Sequence, residues 1–206
     1  MVEFWEQAFD EKQLMWGLEP AASATLACDY LAARGAVEVL IPGVGYGRNA
    51  LPFLARGMSV TGVEISQTAI ALARSGLGLQ LPIHHGSVEG MPYDDACYDG
   101  IFCHGLLYLL GAEGRARFLR ACAGQLSLGG HLIVSVISKE APMYGQGACV
   151  GEDRFQRLPN LEMSFYDEGS LRRELGPYGL IEVRAVEEPA GAGASLPFLL
   201  GICQKA

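Results

Sequence analysis

Apolar residues come in short blocks, and two periods alternate along the chain. Residues 3–12 place Phe4, Trp5, Ala8 and Phe9 at helical spacing with charges between them. Met15 to Pro20 breaks the pattern. A second helix is predicted over 21–34, with Leu26, Ala27, Tyr30 and Leu31 on one face and Gly35 as its stop. Val37 to Ile41 is a short run, apolar but for Glu38, and reads as a buried strand. It gives way to Gly43, Gly45 and Gly47, then to Asn49 as a plausible N-cap and a short helix stopped by Gly57. Pro52 suits the first turn of that helix, where its missing N–H costs little. Val60 to Val63 is a second strand ending in Glu64, and Ser66 caps a helix to Arg74. Further strands are predicted at Leu81–His85, Tyr98–Cys103 and His131–Ile137, the last entered through a turn at 128–130. Helices follow over 113–126, with Phe118, Leu119, Cys122 and Leu126 as the buried stripe, and over 168–176. Two strands, Leu180–Val186 and Pro197–Cys203, close the chain around a flexible turn at 189–194.

Residues 37–64 carry the most information. Strand, glycine turn, helix, strand and acid form the unit that holds a nucleoside at the top of a parallel sheet. Glycines let the main chain approach a ligand and take positive φ, and a carboxylate can accept two hydrogen bonds from ribose hydroxyls. Glu64 follows Gly43 by about 20 residues, the dinucleotide spacing. A dinucleotide fold needs G-x-G-x-x-G, but Arg48 holds the third glycine position and the extra glycine is Gly47.

Gly43-x-Gly45-x-Gly47 after a strand resembles motif I of the class I S-adenosylmethionine (SAM) methyltransferases. Gly62-Val63-Glu64-Ile65-Ser66, with Ala69-Ile70 and Ala73-Arg74, is similar to that family's second motif. Gly86 to Tyr93 and Tyr98 to Phe102 resemble the third and fourth. Two positions depart from the pattern: Ile41 stands where the family usually has an acid, and Ser87 where an Asp is common. Pro42-Gly43-x-Gly45 is similar to the small-molecule methyltransferases of the thiopurine and tellurite-resistance type.

The resemblance implies an α/β fold: a Rossmann-like, doubly wound, seven-stranded, mainly parallel sheet with an antiparallel edge strand. It implies SAM as cofactor, with Gly43, Gly45, Gly47, Asn49, Glu64, Ile65, Ser87, Val88, Cys103 and Trp16 as its contacts. Ser87 and Val88 would lie beside the adenine. One domain over 1–206 is expected: a helical arm or lid at 1–34, a SAM-binding core at 35–137, a substrate cap at 138–165, and a C-terminal helix and strand pair at 166–206. The cap stretch lacks a regular pattern, and long irregular segments in compact domains are usually functional or disordered. Tyr144 and Arg154 are its most chemically able residues.

His104 falls where the fourth strand ends, the rim at which such sheets bind ligands. Its imidazole could orient an acceptor or take its proton, or simply bond a neighbouring loop. His104 and Tyr144 are therefore the candidate catalytic groups. Asp99, at the opposite end of the same strand, is read as structural. His84 and His85 are adjacent and point to opposite faces, so no metal site is expected there.

Length suits one sizeable core, at 206 residues, half of them apolar. A net charge of −8 without a Lys/Arg cluster argues against a nucleic-acid partner. The six cysteines form no C-x-x-C, and no apolar run approaches a membrane span. The acidic N-terminus carries no evident signal peptide, so a cytoplasmic protein is expected. The reading is methyl transfer to a small molecule, in line with the methyl–sulfur bond, with a thiol or other soft nucleophile favoured as acceptor. Alternatives are a NAD-linked oxidoreductase, which shares strand, loop and acid, and a non-catalytic SAM-binding protein.

Overall fold

Burial is almost unbroken along the central strands, and alternate residues build the two faces of the core. The computed structural model describes residues 2–190 and 193–206. Strands β1 (Glu38–Pro42) and β2 (Ser59–Glu64) pair in parallel, and β2 pairs with the short β3 (Ile83–His85). Strand β4 (Tyr98–His104) lies on the other side of β1 and pairs in parallel with β5 (Leu126–Ile137). Val39, Ile41, Phe102 and Ile133 join one buried cluster, while Leu40, Ile101, Cys103, Leu132 and Val134 join another. Alternate side chains of one strand thus enter opposite layers.

Helices α2 (Ala22–Ala32) and α3 (Leu51–Ala55) cover the first face. Helices α5 (Ala112–Gln125) and α6 (Glu168–Leu175) cover the second. Contact between α2 and β4 depends on Gly100, where an added Cβ would stand 2.4 Å from Leu31. Helices α1 (Val2–Lys12) and α4 (Gln67–Ser75) pack together beside the glycine turn. Ser66 caps α4 as its sequence position predicts, its hydroxyl accepting the Ala69 N–H at 3.0 Å.

The last strands, β9 (Leu180–Pro189) and β10 (Ser195–Gln204), complete the sheet in the order β3-β2-β1-β4-β5-β10-β9. β10 runs antiparallel to both neighbours, one place in from the edge. The sheet is the expected mainly parallel, Rossmann-like one. Strand order reverses between β1 and β4, which opens a crevice at their carboxyl ends. β5 begins earlier than predicted: Leu126 already pairs with Tyr98, and the expected turn at 128–130 is an irregularity with Gly129 at φ +77°. The flexible turn expected over 189–194 includes residues 191 and 192, which lie outside the described residues.

The stretch expected to be irregular is not. β6 (Ala148–Gly151), β7 (Arg154–Leu158) and β8 (Leu161–Ser164) form a separate antiparallel sheet. Its turns place Asp153 and Asn160 at positive φ, where short polar side chains are tolerated. Arg154 ties this sheet to the segment after β4. It donates to the carbonyls of Leu109 and Leu110 at 3.2 and 2.9 Å, to the Ser164 hydroxyl at 2.8 Å and to Glu162 at 3.0 Å. Asp99 accepts the N–H groups of Val37 and Glu38, closing the far end of β1.

Candidate active site

Three residues of the turn after β1 have left-handed backbone: Gly43 at φ +68°, Gly45 at +58° and Gly47 at +90°. The turn folds back on β2. Gly43 and Val44 both donate to the Val63 carbonyl, and Gly45 donates to Glu64 Oε2 at 2.8 Å. Glu64 Oε1 accepts from Ile65 and Ser66 at 2.8 and 2.9 Å. The carboxylate is 5% exposed. Burial pushes its pKa up, and the three N–H bonds pull against that. A carboxylate has about four acceptor positions; three are used inside the protein, leaving one for a sugar hydroxyl instead of the two expected from sequence.

Above this turn lies the N-terminal arm. A Cβ on Gly45 would meet the Phe9 ring at 3.7 Å, and one on Gly43 would meet Leu106 at 3.2 Å. Side chains, not main chain, thus stand over the bare glycine backbone. Trp16 stacks on Tyr46 at 6.2 Å and remains 46% exposed. Tyr46 is buried, donates to the Gly17 carbonyl at 2.7 Å and accepts from the Trp16 N–H at 3.1 Å. Tyr46→Phe removes both bonds at the cost of one oxygen. It is expected to lower stability by about 1–2 kcal/mol and to speed proteolysis within residues 2–20 in a timed digest. An unchanged digest would show that the rings alone hold the arm.

Asn49 does not cap α3. It lies in a single turn over 48–50, and its Oδ1 accepts the Ala21 N–H at 2.9 Å, so it pins the start of α2. Gly47 takes the capping place of that turn and Ala50 that of α3, neither with a side-chain bond. Ser87 caps a short turn over 88–90 through the Glu89 N–H, and its carbonyl accepts from Tyr93. Val88 is buried, whereas Ile65 is half-buried, its carbonyl 3.2 Å from His85 Nε2. Cys103 is wholly buried, and burial pushes its thiol up to about 12, which excludes a resting thiolate.

His104 ends β4 at the crevice, before Gly105 at φ +65°. Its Nδ1 lies 2.9 Å from the Ser23 hydroxyl and 2.7 Å from the Ser135 hydroxyl. Glu188 Oε1 is 3.7 Å away. Burial lowers the imidazole pKa to about 4, against a smaller upward pull from Glu188, so the ring is neutral at pH 7. Tyr144 belongs elsewhere: it is exposed, donates to Asp153 at 2.6 Å and packs against Phe155 and Phe165 of the smaller sheet and its exit. The structure thus joins Gly43, Gly45, Gly47 and Glu64 in one unit and sets His104 on the neighbouring strand end. Phe9, Tyr46, Ser23, Ser135 and Glu188 were not evident from sequence, since each acts through partners distant in the chain.

Among the described residues, no three His, Cys, Asp or Glu side chains converge as a metal site. No described helix is long and apolar enough to cross a membrane.

Residues 40–134 match the methyltransferase domain family. The ubiquinone biosynthesis O-methyltransferase of Alkalilimnicola ehrlichii is 29% identical over 142 residues, 65% of this chain and 57% of that protein. The chain therefore spans little more than half the length of this curated relative. Burkholderia thailandensis 1,6-didemethyltoxoflavin-N1-methyltransferase, solved with its substrate and S-adenosylhomocysteine, superposes with a TM-score of 0.77 at 20% identity. That match covers 100% of this chain and 87% of the other. A SAM-dependent methyltransferase of Methanosarcina mazei gives 0.70 at 19% identity, over 82% of this chain and 92% of that one. Residues 40–134 thus match a methyltransferase domain, and the sheet has the fold of the SAM-dependent methyltransferases on which it superposes.

Proposed function

We propose that the protein transfers the methyl group of SAM to a small-molecule acceptor. The observation that carries this reading is the bond from Gly45 N–H to Glu64, which fastens a glycine turn to an acid at the β1/β4 crevice. The residues present suit the cofactor. Glu64 keeps one acceptor position for a ribose hydroxyl, and Gly43 and Gly45 hold a positive φ that a side chain would strain. In this reading Ile65, Ser87 and Val88 serve the base, and Trp16 and Phe9 cover the turn; Cys103, wholly buried in the core, has no exposed surface to offer a ligand.

SAM supplies an electrophilic methyl on a sulfonium. The chain must place the acceptor in line behind that methyl, and orientation alone supplies up to ~7–11 kcal/mol of a barrier. The arm and the segment over 138–164 exclude water, which strengthens every dipole inside. His104, neutral and at the strand end, is the group placed to bind the acceptor or receive its proton; Tyr144 serves the cap instead.

Thermal denaturation with SAM, S-adenosylhomocysteine and NAD tests the proposal. Ligand at 100 times its dissociation constant stabilises by about 2.7 kcal/mol. The two sulfur nucleosides are expected to raise the melting temperature and NAD to leave it unchanged. A rise with NAD alone would reverse the assignment in favour of an oxidoreductase.

A further inference from the structure

One face of the sheet gathers an unusual set of groups at the carboxyl ends of its strands. His104 on β4 lies opposite Ser135 on β5 in the strand register. Ser23, on the second residue of α2, meets the same imidazole nitrogen from above. Glu188, near the end of β9, accepts the first N–H groups of α2, Ala22 at 2.8 Å and Ser23 at 3.0 Å. Ser23 and Ser135 are fully buried and Glu188 is 6% exposed. Three buried polar groups therefore surround Nδ1, while Nε2 has no hydrogen-bond partner among the described residues.

An ionised carboxylate accepts hydrogen bonds and cannot donate them. At 3.7 Å from Nδ1 Glu188 is outside hydrogen-bond distance, and it acts by its field, which favours a proton on the ring nitrogen that faces it. The hydroxyls satisfy the Nδ1–H, and the lone pair is left on Nε2. The ring itself is stacked on Phe198 at 5.8 Å and 15°, and Tyr108 meets Phe198 edge-on at 6.2 Å. Met143 and Leu196 are half-buried against the same cluster. The wall beside the imidazole is thus aromatic and apolar, with a buried negative charge behind it.

We infer that Glu188, Ser23 and Ser135 hold His104 as the Nδ1–H tautomer, and that the acceptor is an uncharged flat aromatic carrying an O–H or ring N–H. This rests on the methyl-transfer reading above and refines its acceptor. The acceptor's O–H or N–H bond breaks, its proton goes to Nε2, and its electron pair forms the new bond to the methyl carbon. The methyl–sulfur pair returns to sulfur, and the imidazolium later gives its proton to water. A preformed thiolate has no proton for Nε2 and is repelled by Glu188. Glu188 is a positioning residue; it acts through the ring.

The first test is ring-nitrogen NMR of histidine-labelled protein at pH 7, with and without S-adenosylhomocysteine, the His104 signals assigned by their loss in His104→Gln. The expected result is a protonated Nδ1 and an unprotonated Nε2, with Glu188→Gln or Ser135→Ala shifting the population toward Nε2–H. A wild-type ring protonated at Nε2 overturns the inference. In the second test, SAM is offered with 2-naphthol or 2-naphthalenethiol. Naphthol is expected to be methylated, and the naphthol-to-thiol rate ratio to fall about 100-fold in His104→Gln, the lower end of general-base effects. Faster turnover of the thiol by the wild type overturns the inference; if neither probe turns over, the tautomer decides. Absence of any thermal shift with S-adenosylhomocysteine would sink the methyl-transfer reading instead, and is scored separately.

Discussion

Glu64→Ala is expected to abolish the thermal shift given by S-adenosylhomocysteine and to lower the melting temperature of the free protein by about 10 °C. Both effects come from one group. The carboxylate accepts the N–H groups of Gly45, Ile65 and Ser66. Each donor left unmet costs about 1–3 kcal/mol, and water entering the vacated space recovers part of it, so a net loss of about 4 kcal/mol is expected. The glycine turn also loses its fastening to β2 on that side. Glu64→Gln retains one carbonyl oxygen and sets an NH2 against backbone donors, so it should fall between wild type and Ala in stability. It serves as the binding control should Glu64→Ala fold poorly. Calorimetric titration is the measurement, and unchanged affinity in Glu64→Gln and Glu64→Ala together would remove this carboxylate from the cofactor site.

The second large effect is a loss of stability in mild acid that belongs to His104. Its pKa falls from an ordinary 6.5 to about 4, first because burial disfavours the charged ring. Arg48 pushes in the same direction, while Glu188 opposes it. Ser23, Ser135, Phe102 and Phe198 are its remaining neighbours. Between the two values the unfolded chain binds a proton that the folded chain does not. Stability from this group is therefore complete above pH 6.5 and is lost as the pH falls toward 4, by up to about 3 kcal/mol. His104→Gln, which cannot titrate, should lose less over the same interval. Urea unfolding of both proteins at pH 7, 5.5 and 4.5 reads the difference, and parallel stability curves would show that His104 titrates normally.

Much of the sheet was legible because its signals are local. Buried parallel strands are apolar runs, and Val37–Ile41 followed by three alternating glycines leaves few other folds for the segment. Glu64 was legible by distance from Gly43. The smaller sheet was not, because its strands are four or five residues long and largely exposed, too short to show a period. Asn49 shows how a correct propensity can mislead: it has the chemistry of a cap, but Ala21 offers it an N–H from another helix. Glu188 stands in a Glu-Glu-Pro run that looks like surface, and nothing near it announces burial. Tyr46 stands between Gly45 and Gly47, and its role comes wholly from the arm lying above it.

The bonds from Ala22 and Ser23 to Glu188 span 166 and 165 residues of chain. A ribosome adding about 5–20 residues per second needs on the order of ten seconds to make that stretch. Until the second-last strand emerges, the helix that shelters His104 has no anion at its leading end. The β1–β2 cradle is translated well before that clasp, so during synthesis the two sides of the crevice around His104 are joined only once β9 has been made.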